Sequence, residues 1–569
     1  MSQSGLMLAF AIPTVLPLLL VAWLGWYPQS KFISLAPWLA VPALTLLVLP
    51  VGTTVDYPWL LLGLQLGIDT TNRTFLALTA ILWLVSSIYA RSYMRDDRRY
   101  VRYWVFHLLT MAGNFGLVLA QDVVSFYAGF VLMSLAAFGL VVHTGSRIAY
   151  QAGLLYLVMA VAGELMLFAG IVLAASAADS VLLVDIQAVA PHNLTVLLLV
   201  TGFGIKAGLL GVHIWLPLAH PVAPTPASAV LSGVMIKAGL LGWLRFLPLG
   251  IFTLPGWGTA LLGLGLAGAY FGVLRGLPET NPKKILAYSS ISQMGLMTSI
   301  IGLGLWVPEF WPALFAAVLL YALHHALTKG ALFLGVGVCA STAAGSRRGR
   351  WVWAAMALLA GALAGLPFTS GSTAKYALKQ AVQSLEPLAT AVLTGLLSIA
   401  AVGTTLLMLR LLSQLQFSSQ RIARPAPGLW LTWGSVLLMV IVLAALHPLV
   451  SSTLAPAALW AALWPIGLAL GLWWIAQRPA ARRRLLALHA AIRWQVRRGY
   501  TRSWALVHYI QNHLTTWQRP SFDGLRVLVI DWRRRSFRSS IRAEYYLTRW
   551  PVFGLIFMVL ALLMFVVSV

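Results

Sequence analysis

Residues 202–245 read GFGIKAGLLGVHIWLPLAHPVAPTPASAVLSGVMIKAGLLGWLR, and the fold turns on how this stretch is understood. It is apolar enough to cross a bilayer twice, since one crossing takes about 20 apolar residues over about 30 Å of hydrocarbon. Each crossing nevertheless carries a lysine inside its apolar run, Lys206 in the first and Lys237 in the second. Between them, Pro217, Pro221, Pro224 and Pro226 interrupt the chain. Proline unwinds a helix, and unwound backbone at membrane depth is tolerated only where it packs in protein or lines a water-filled cavity. Amines and broken helix inside an oily run therefore point to a bundle of many spans with a polar interior.

Composition agrees. The 569 residues are 60% hydrophobic and 9% charged, with mean hydropathy +0.85, whereas a soluble domain averages about 45–50% apolar and about 25% charged residues. Twenty-four tryptophans suit a membrane protein, because the ring anchors at the interface. The one cysteine, Cys339, excludes a disulfide framework, an iron–sulfur cluster and a thiolate zinc site. Spans are expected near 5–26, 33–53, 73–92, 103–121, 122–144, 148–176, 190–217, 223–249, 254–275, 284–305, 308–340, 349–383, 388–412, 428–448, 455–475 and 551–568. The fold class is thus all-α, a polytopic membrane protein of about sixteen transmembrane helices. The first apolar run lacks a basic leader and a small-residue cleavage site, so it reads as a retained helix.

The net charge of +25 is sorted along the chain. Arg91, Arg95, Arg98, Arg99, Arg102, Arg147, Lys283, Lys284, Arg347, Arg348, Arg350, Arg421 and Arg424 fall in alternate loops. Asp56, Asp69, Asp122, Asp179, Asp185, Glu309 and Glu386 fall in the loops between. The positive-inside rule puts the basic loops in the cytoplasm of a bacterial inner membrane and both termini outside. Residues 478–549 interleave arginines with Leu485, Leu488, Ile492, Val496, Trp504 and Trp517. Such a basic amphipathic helix belongs on the anionic lipid surface or along a neighbouring bundle, not on nucleic acid.

Ionisable groups inside the spans carry the functional reading. Lys206, Lys237, Lys329, Lys375 and Lys379 lie within apolar runs, while arginine keeps to the span ends and the late segment. Intramembrane charges are expensive and are functional candidates by default. Lysine, unlike arginine, can exchange its proton near neutral pH when desolvated. Glu164 is the one carboxylate near mid-helix, in LVMAVAGELMLFAG, at about the depth of Lys206. The two are expected to pair. His213, His220, His324 and His325 supply further proton carriers, and His325 and Lys329 share a helix face. Metal ligation is not expected, because lysines surround these histidines. A second interruption, Gly365-Leu-Pro367-Phe-Thr-Ser-Gly371, precedes Lys375. Two broken helices five spans apart, each near a lysine, are the mark of an inverted-repeat transporter. Gly263-Leu-Gly265-Leu-Ala-Gly268 has the form of a dinucleotide motif but sits in an apolar span, where close helix packing explains it. No cofactor is expected.

Residues 202–245, with NPKKILAYSSISQMG (281–295) and YALHHALTKGALFLG (321–335), closely resemble the antiporter-like proton-translocating subunits. These occur in respiratory complex I, in membrane-bound hydrogenases and formate hydrogenlyase, and in Mrp antiporters. The resemblance covers roughly residues 60–410, and its wording is nearest the hydrogenase and formate hydrogenlyase branch. It implies two inverted five-helix repeats, 103–249 and 254–412, each with a broken helix and a proton half-channel. N-terminal spans (1–102), accessory spans (428–475), the lateral segment (478–549) and a final span (551–569) would flank them. By that likeness Lys206 is the lysine of the first broken helix, Lys237 the central relay lysine and Lys375 the ionisable residue of the second broken helix. His325 and Lys329 match a His-Ala-Phe-Phe-Lys run.

Three positions depart from the family pattern. Its Trp-Glu-Leu-Met reads Phe130-Val131-Leu132-Met133 here, its Leu-Pro-acid reads Leu216-Pro217-Leu218, and its first histidine is Tyr321. Glu164 is the expected replacement for the lost carboxylate. The function implied is translocation of protons, or alternatively Na⁺, by one subunit of a complex whose other membrane subunits and peripheral cytoplasmic module supply the driving chemistry. The alternatives are a stand-alone Mrp-like cation/proton antiporter and a non-pumping scaffold, for example in inorganic-carbon uptake.

Overall fold

The computed structural model describes residues 2–383, 385–419, 426–446 and 448–478. The expected lateral segment (all but its first residue), the final span and the arginines 421 and 424 lie outside the described residues. Residues 2–24 and 29–470 form one compact unit, and residues 25–28 and 471–478 belong to a second.

The chain begins with α1 (Gln3–Trp26). The expected second span is no continuous helix, because Pro37 and Pro42 break it. It is made of 3₁₀ turns at Lys31–Trp38 and Leu46–Val48 around α2 (Val41–Thr45). The next loop adds one short hairpin to an otherwise helical chain, consistent with the all-α reading. Strands β1 (Thr54–Tyr57) and β2 (Leu64–Gly67) pair antiparallel, Thr54 opposite Gly67 and Tyr57 opposite Leu64. The hairpin turn runs through Leu61, Leu62 and Gly63, all at positive φ.

Side-chain caps set the next starts. Asp69 accepts from Thr71 and Asn72 N to open α3 (Thr70–Tyr93), and α4 follows (Tyr100–Leu119). Asp122 opens α5 (Val123–Val141) through Ser125 N, and Ser146 opens α6 (Arg147–Ala178) through Ala149 N. Such caps satisfy amides that have no partner within the helix. After the short α7 (Leu183–Gln187) come α8 (Asn193–Ala207) and α9 (Trp215–Val222). Prolines start α10 (Thr225–Val230), which passes through a π turn (Leu231–Met235) into α11 (Ile236–Phe246).

The second half runs α12 (Pro255–Gly276), α13 (Pro282–Trp306), α14 (Trp311–Ala340), α15 (Arg347–Ala364), α16 (Ser370–Ala381) and α17 (Pro387–Ser413). Then α18 (Pro427–Leu446), α19 (Val450–Thr453) and α20 (Pro456–Ala476) complete the described chain. Twelve helical segments among the described residues are long and apolar enough to span a bilayer. The expected spans at 103–121, 190–217 and 349–383 are also helical, as α4, α8–α9 and α15–α16. The protein is a multi-pass membrane protein. Its centre is α10–α11 and α13, buried along their whole spanning length.

Glycines let the backbones cross closely. A Cβ at Gly129 of α5 would lie 2.5 Å from Leu117 N of α4. One at Gly302 of α13 would lie 2.5 Å from Leu262 N of α12, and one at Gly265, inside the GxGxxG-like run, 2.6 Å from Ser299 N. Small residues substitute for the hydrophobic drive that is missing between helices in lipid.

Polar side chains tie the loops together at the span ends. At one end Gln65 Nε2 donates to Asp56 (2.8 Å), Gln65 N to Asp122 (2.9 Å) and Gln121 to Asp69 (3.1 Å), and Arg245 closes a 2.5 Å ion pair on Asp69. At the other, Arg99 donates to the His143 carbonyl (3.1 Å) and Lys283 to that of Ala223 (2.8 Å).

Candidate functional site

The first broken helix places Lys206 one residue before the end of α8. Gly208 (φ 79°) ends that helix and Gly211 (φ 97°) lies in the break. The interruption therefore sits ahead of the prolines, where glycine's freedom at positive φ is needed. Pro217 rides in the first turn of α9, where a missing N–H costs nothing. Lys206 is buried, and its Nζ donates to the hydroxyl of Tyr156 at 3.1 Å. The rings of Tyr156, Phe130 and Trp215 surround it with centroids at 5.2, 5.6 and 5.9 Å, an aromatic cage for a cation. The Tyr156 hydroxyl donates to the Ser134 carbonyl (2.8 Å), and the Trp215 indole N–H donates to the Ile205 carbonyl (2.7 Å).

Glu164 is buried near Lys206, within Coulombic reach. The expected ion pair is not closed: among the described residues the pairs are Asp97–His143, Asp69–Arg245 and Glu279–Lys284. Glu164 Oε1 and Ser134 Oγ are both buried without a hydrogen-bond partner among the described residues. Aromatic rings and a hydroxyl hold the amine where the family pattern has a carboxylate at position 131. The Val131 side chain is half-buried, while Phe130 faces the lysine.

At the centre, Lys237 follows the π turn of residues 231–235 and donates to the Ser232 carbonyl at 2.6 Å. The π turn displaces this carbonyl from its ordinary helical partner. Ser232 and Ser290 hydroxyls join at 2.8 Å, linking the π turn to α13. Lys329 donates to the Leu286 carbonyl (2.7 Å) and to Ser289. Among the described residues His325 and His220 are fully buried with both ring nitrogens unpartnered, and His220 stacks on Phe333 at 4.7 Å. Both histidines lie within Coulombic reach of Lys237 and Lys329.

His324 bonds to Ser370 (2.8 Å) and lies within reach of Lys375. Lys375 in turn donates to Ala364 O (2.5 Å), the last carbonyl of α15, exposed by the break at Gly365 (φ 93°). The structure thus brings Lys237, His325, Lys329, His220, His324 and Lys375 into one internal cluster. No direct hydrogen bond joins Lys206 to Lys237 among the described residues. His213 sits in the first break against Phe271 (4.8 Å), apart from that cluster. Lys379 is half-buried and points to the Ala461 carbonyl (3.4 Å).

Sequence reasoning missed Ser134 and Tyr156. It also missed His107, fully buried between Ser87 (2.8 Å) and Tyr103 (3.1 Å). The Tyr321 substitution is absorbed structurally: its hydroxyl donates to Gln293 (2.8 Å), which donates to Thr404 (3.0 Å).

Residues 120–401, which contain all of these lysines and histidines from Glu164 to Lys375, match the pattern described as NADH:quinone oxidoreductase/Mrp antiporter, transmembrane. Over those residues the chain carries the transmembrane module of this antiporter family. Hydrogenase-4 component B of Escherichia coli (strain K12) is 29% identical over 329 residues, covering 54% of this chain and 49% of that protein. The chain spans about half the length of the curated relatives it matches. A chain of the Mrp complex from Dietzia sp. DQ12-45-1b shares the antiporter fold, with TM-score 0.74 at 23% identity over 95% of this chain and 63% of that one. So does a chain of the membrane-bound sulfane sulfur reductase, an archaeal respiratory membrane complex, with TM-score 0.70 at 20% identity over 93% of this chain and 100% of that one.

Proposed function

We propose that this antiporter-family chain is a proton-translocating subunit of a multisubunit energy-converting membrane complex. The observation that carries the reading is the state of its buried amines. Lys206, Lys237 and Lys329 each donate to a neutral oxygen, and among the described residues none closes an ion pair. Desolvation penalises the charged amine, and no counter-ion is in contact to offset it. These amines suit a proton that must be released again. The relay is Glu164, Lys206, Lys237, His325, Lys329 and Lys375, with His213, His220, His324 and Lys379 in secondary positions.

The two-repeat architecture is part of the proposal. The glycine crossing of α4 on α5 has a counterpart in α12 on α13, and the break of α8–α9 has one in α15–α16. These parallels support two inverted repeats over 103–249 and 254–412; about sixteen spans, with both termini outside an inner membrane, complete the proposed arrangement. Other membrane subunits, a peripheral cytoplasmic module and lipid would be the partners.

The test is proton movement in vesicles that hold the whole complex. Lys206→Ala, Lys375→Ala and Glu164→Gln should each abolish coupled translocation with assembly intact. Normal pumping in the two lysine variants would replace this reading by a non-pumping scaffold.

A further inference from the structure

Between Glu164 and Lys206 the described contacts leave a gap. A cavity of about 10 Å³ lies against the amine, lined by Phe130, Ser134, Tyr156, Gly163, Lys206 and Trp215 among others. That is room for about one water molecule, and a water is held in such a space only when polar groups surround it. Here they do. Ser134 Oγ interacts with the Glu164 carboxyl without reaching direct hydrogen-bond geometry, and both groups keep an unpartnered buried oxygen. Lys206 Nζ borders the same space. An unpartnered buried hydroxyl or carboxyl costs about 1–3 kcal/mol, so a site that orphans both is expected to bind something small and polar.

We propose that Ser134 positions a single water in this cavity, and that this water completes the proton path between Glu164 and Lys206. The Glu164 carboxyl O–H bond breaks as its proton passes to the water. The water gives another of its protons to the Nζ lone pair, forming the N–H bond of the ammonium. No electrons or heavy atoms move. Ser134 sits four residues after Phe130 on α5, so one face of that helix supplies both a wall of the aromatic cage and the polar station beside it. The cage excludes further water and confines transfer to this one link. The inference rests on the relay reading above and adds a positioning residue to it.

The experiment is Ser134→Ala in the whole complex, assayed in vesicles beside Lys206→Ala and Glu164→Gln. The expected result is a loss of about a hundredfold in translocation, the low end of what a placed proton carrier contributes. A shifted infrared C=O stretch of protonated Glu164 should accompany it, which a purely structural role would leave in place. Wild-type translocation in Ser134→Ala with Lys206→Ala inactive would overturn this inference alone. Wild-type translocation in Lys206→Ala would overturn the relay reading itself. Should Ser134→Ala fail to assemble, Ser134→Cys, close in size but a weak donor, is read by the same outcomes.

Discussion

The amine of Lys206 donates to the hydroxyl of Tyr156 at 3.1 Å and closes no ion pair with Glu164. A caged lysine can therefore be stabilised in two separable ways, by the ring faces and by the phenol oxygen.

Tyr156→Phe keeps the ring and removes the acceptor. The expected cost is about 1.5–3 kcal/mol, the worth of a hydrogen bond to a charged group. Tyr156→Leu also removes a cage wall and should cost about 1–2 kcal/mol more. Thermal unfolding of the detergent-solubilised protein measures both steps. Equal stability of the Phe and Leu variants would show that the ring contributes nothing.

Lys329→Arg separates charge from titration. Arginine keeps the positive charge but holds its proton at any accessible pH, and its planar fork does not reproduce a point donor to the Leu286 carbonyl and Ser289. Translocation should fall to roughly a hundredth of the unmodified rate or lower, with protein yield retained, in the same vesicle assay. An active arginine variant would mean that this position supplies charge only.

Burial of the lysines was legible because an amine in an apolar run has no ordinary reason to be there. Their partners were not. Lys206, Lys237, Lys329 and Lys375 bond to a phenol and to backbone carbonyls, and a carbonyl exposed by a π turn or a glycine break leaves no residue-type signature. Ser134 and Tyr156 look like any polar residue on a helix until α5, α6 and α8 are set side by side. The first helix break was located by its prolines, yet Gly208 and Gly211 make it, because Pro217 falls in a first turn that tolerates it. The hairpin of β1 and β2 was missed for another reason. Strands of four residues between two spans are too short for a period-2 pattern to stand out.

Asp69 and Arg245 give a pH signature outside the spans. Burial alone would push the Asp69 carboxyl up. The Arg245 guanidinium, with hydrogen bonds from Asn72 and Gln121, overcomes this and holds it below its usual value of 3.8. A carboxyl depressed in the folded state contributes stability that is fully present above the unfolded value. That contribution is lost as pH falls through the folded one. The unmodified protein should therefore lose stability as pH drops from 4 downward. Asp69→Asn, which still caps α3, should be weaker at pH 7 by about 2 kcal/mol and lack that acid step. The figure is below that of a fully buried pair because the Asp69 side chain is 29% exposed. Melting temperature against pH for the two proteins checks it.

Gly371 tests the second break. It lies in the first turn of α16, where a Cβ would come 1.7 Å from the Ala362 carbonyl oxygen of α15. That oxygen belongs to helical backbone and cannot rotate away as a side-chain tip would. Gly371→Ala must therefore drive the start of α16 from the end of α15. The move pulls Ser370 off His324, now at 2.8 Å, and Lys375 off the Ala364 carbonyl. The expected loss is about 3 kcal/mol, the upper range for forced overpacking. Gly263→Ala is the control, because nothing lies within 4 Å of its Cβ position and alanine is the better helix former there. Its melting temperature should equal or exceed that of the unmodified protein. If Gly371→Ala melts with Gly263→Ala, the two helix ends at the second break do not meet as closely as this packing requires, and the route from His324 to Lys375 loses its fixed geometry.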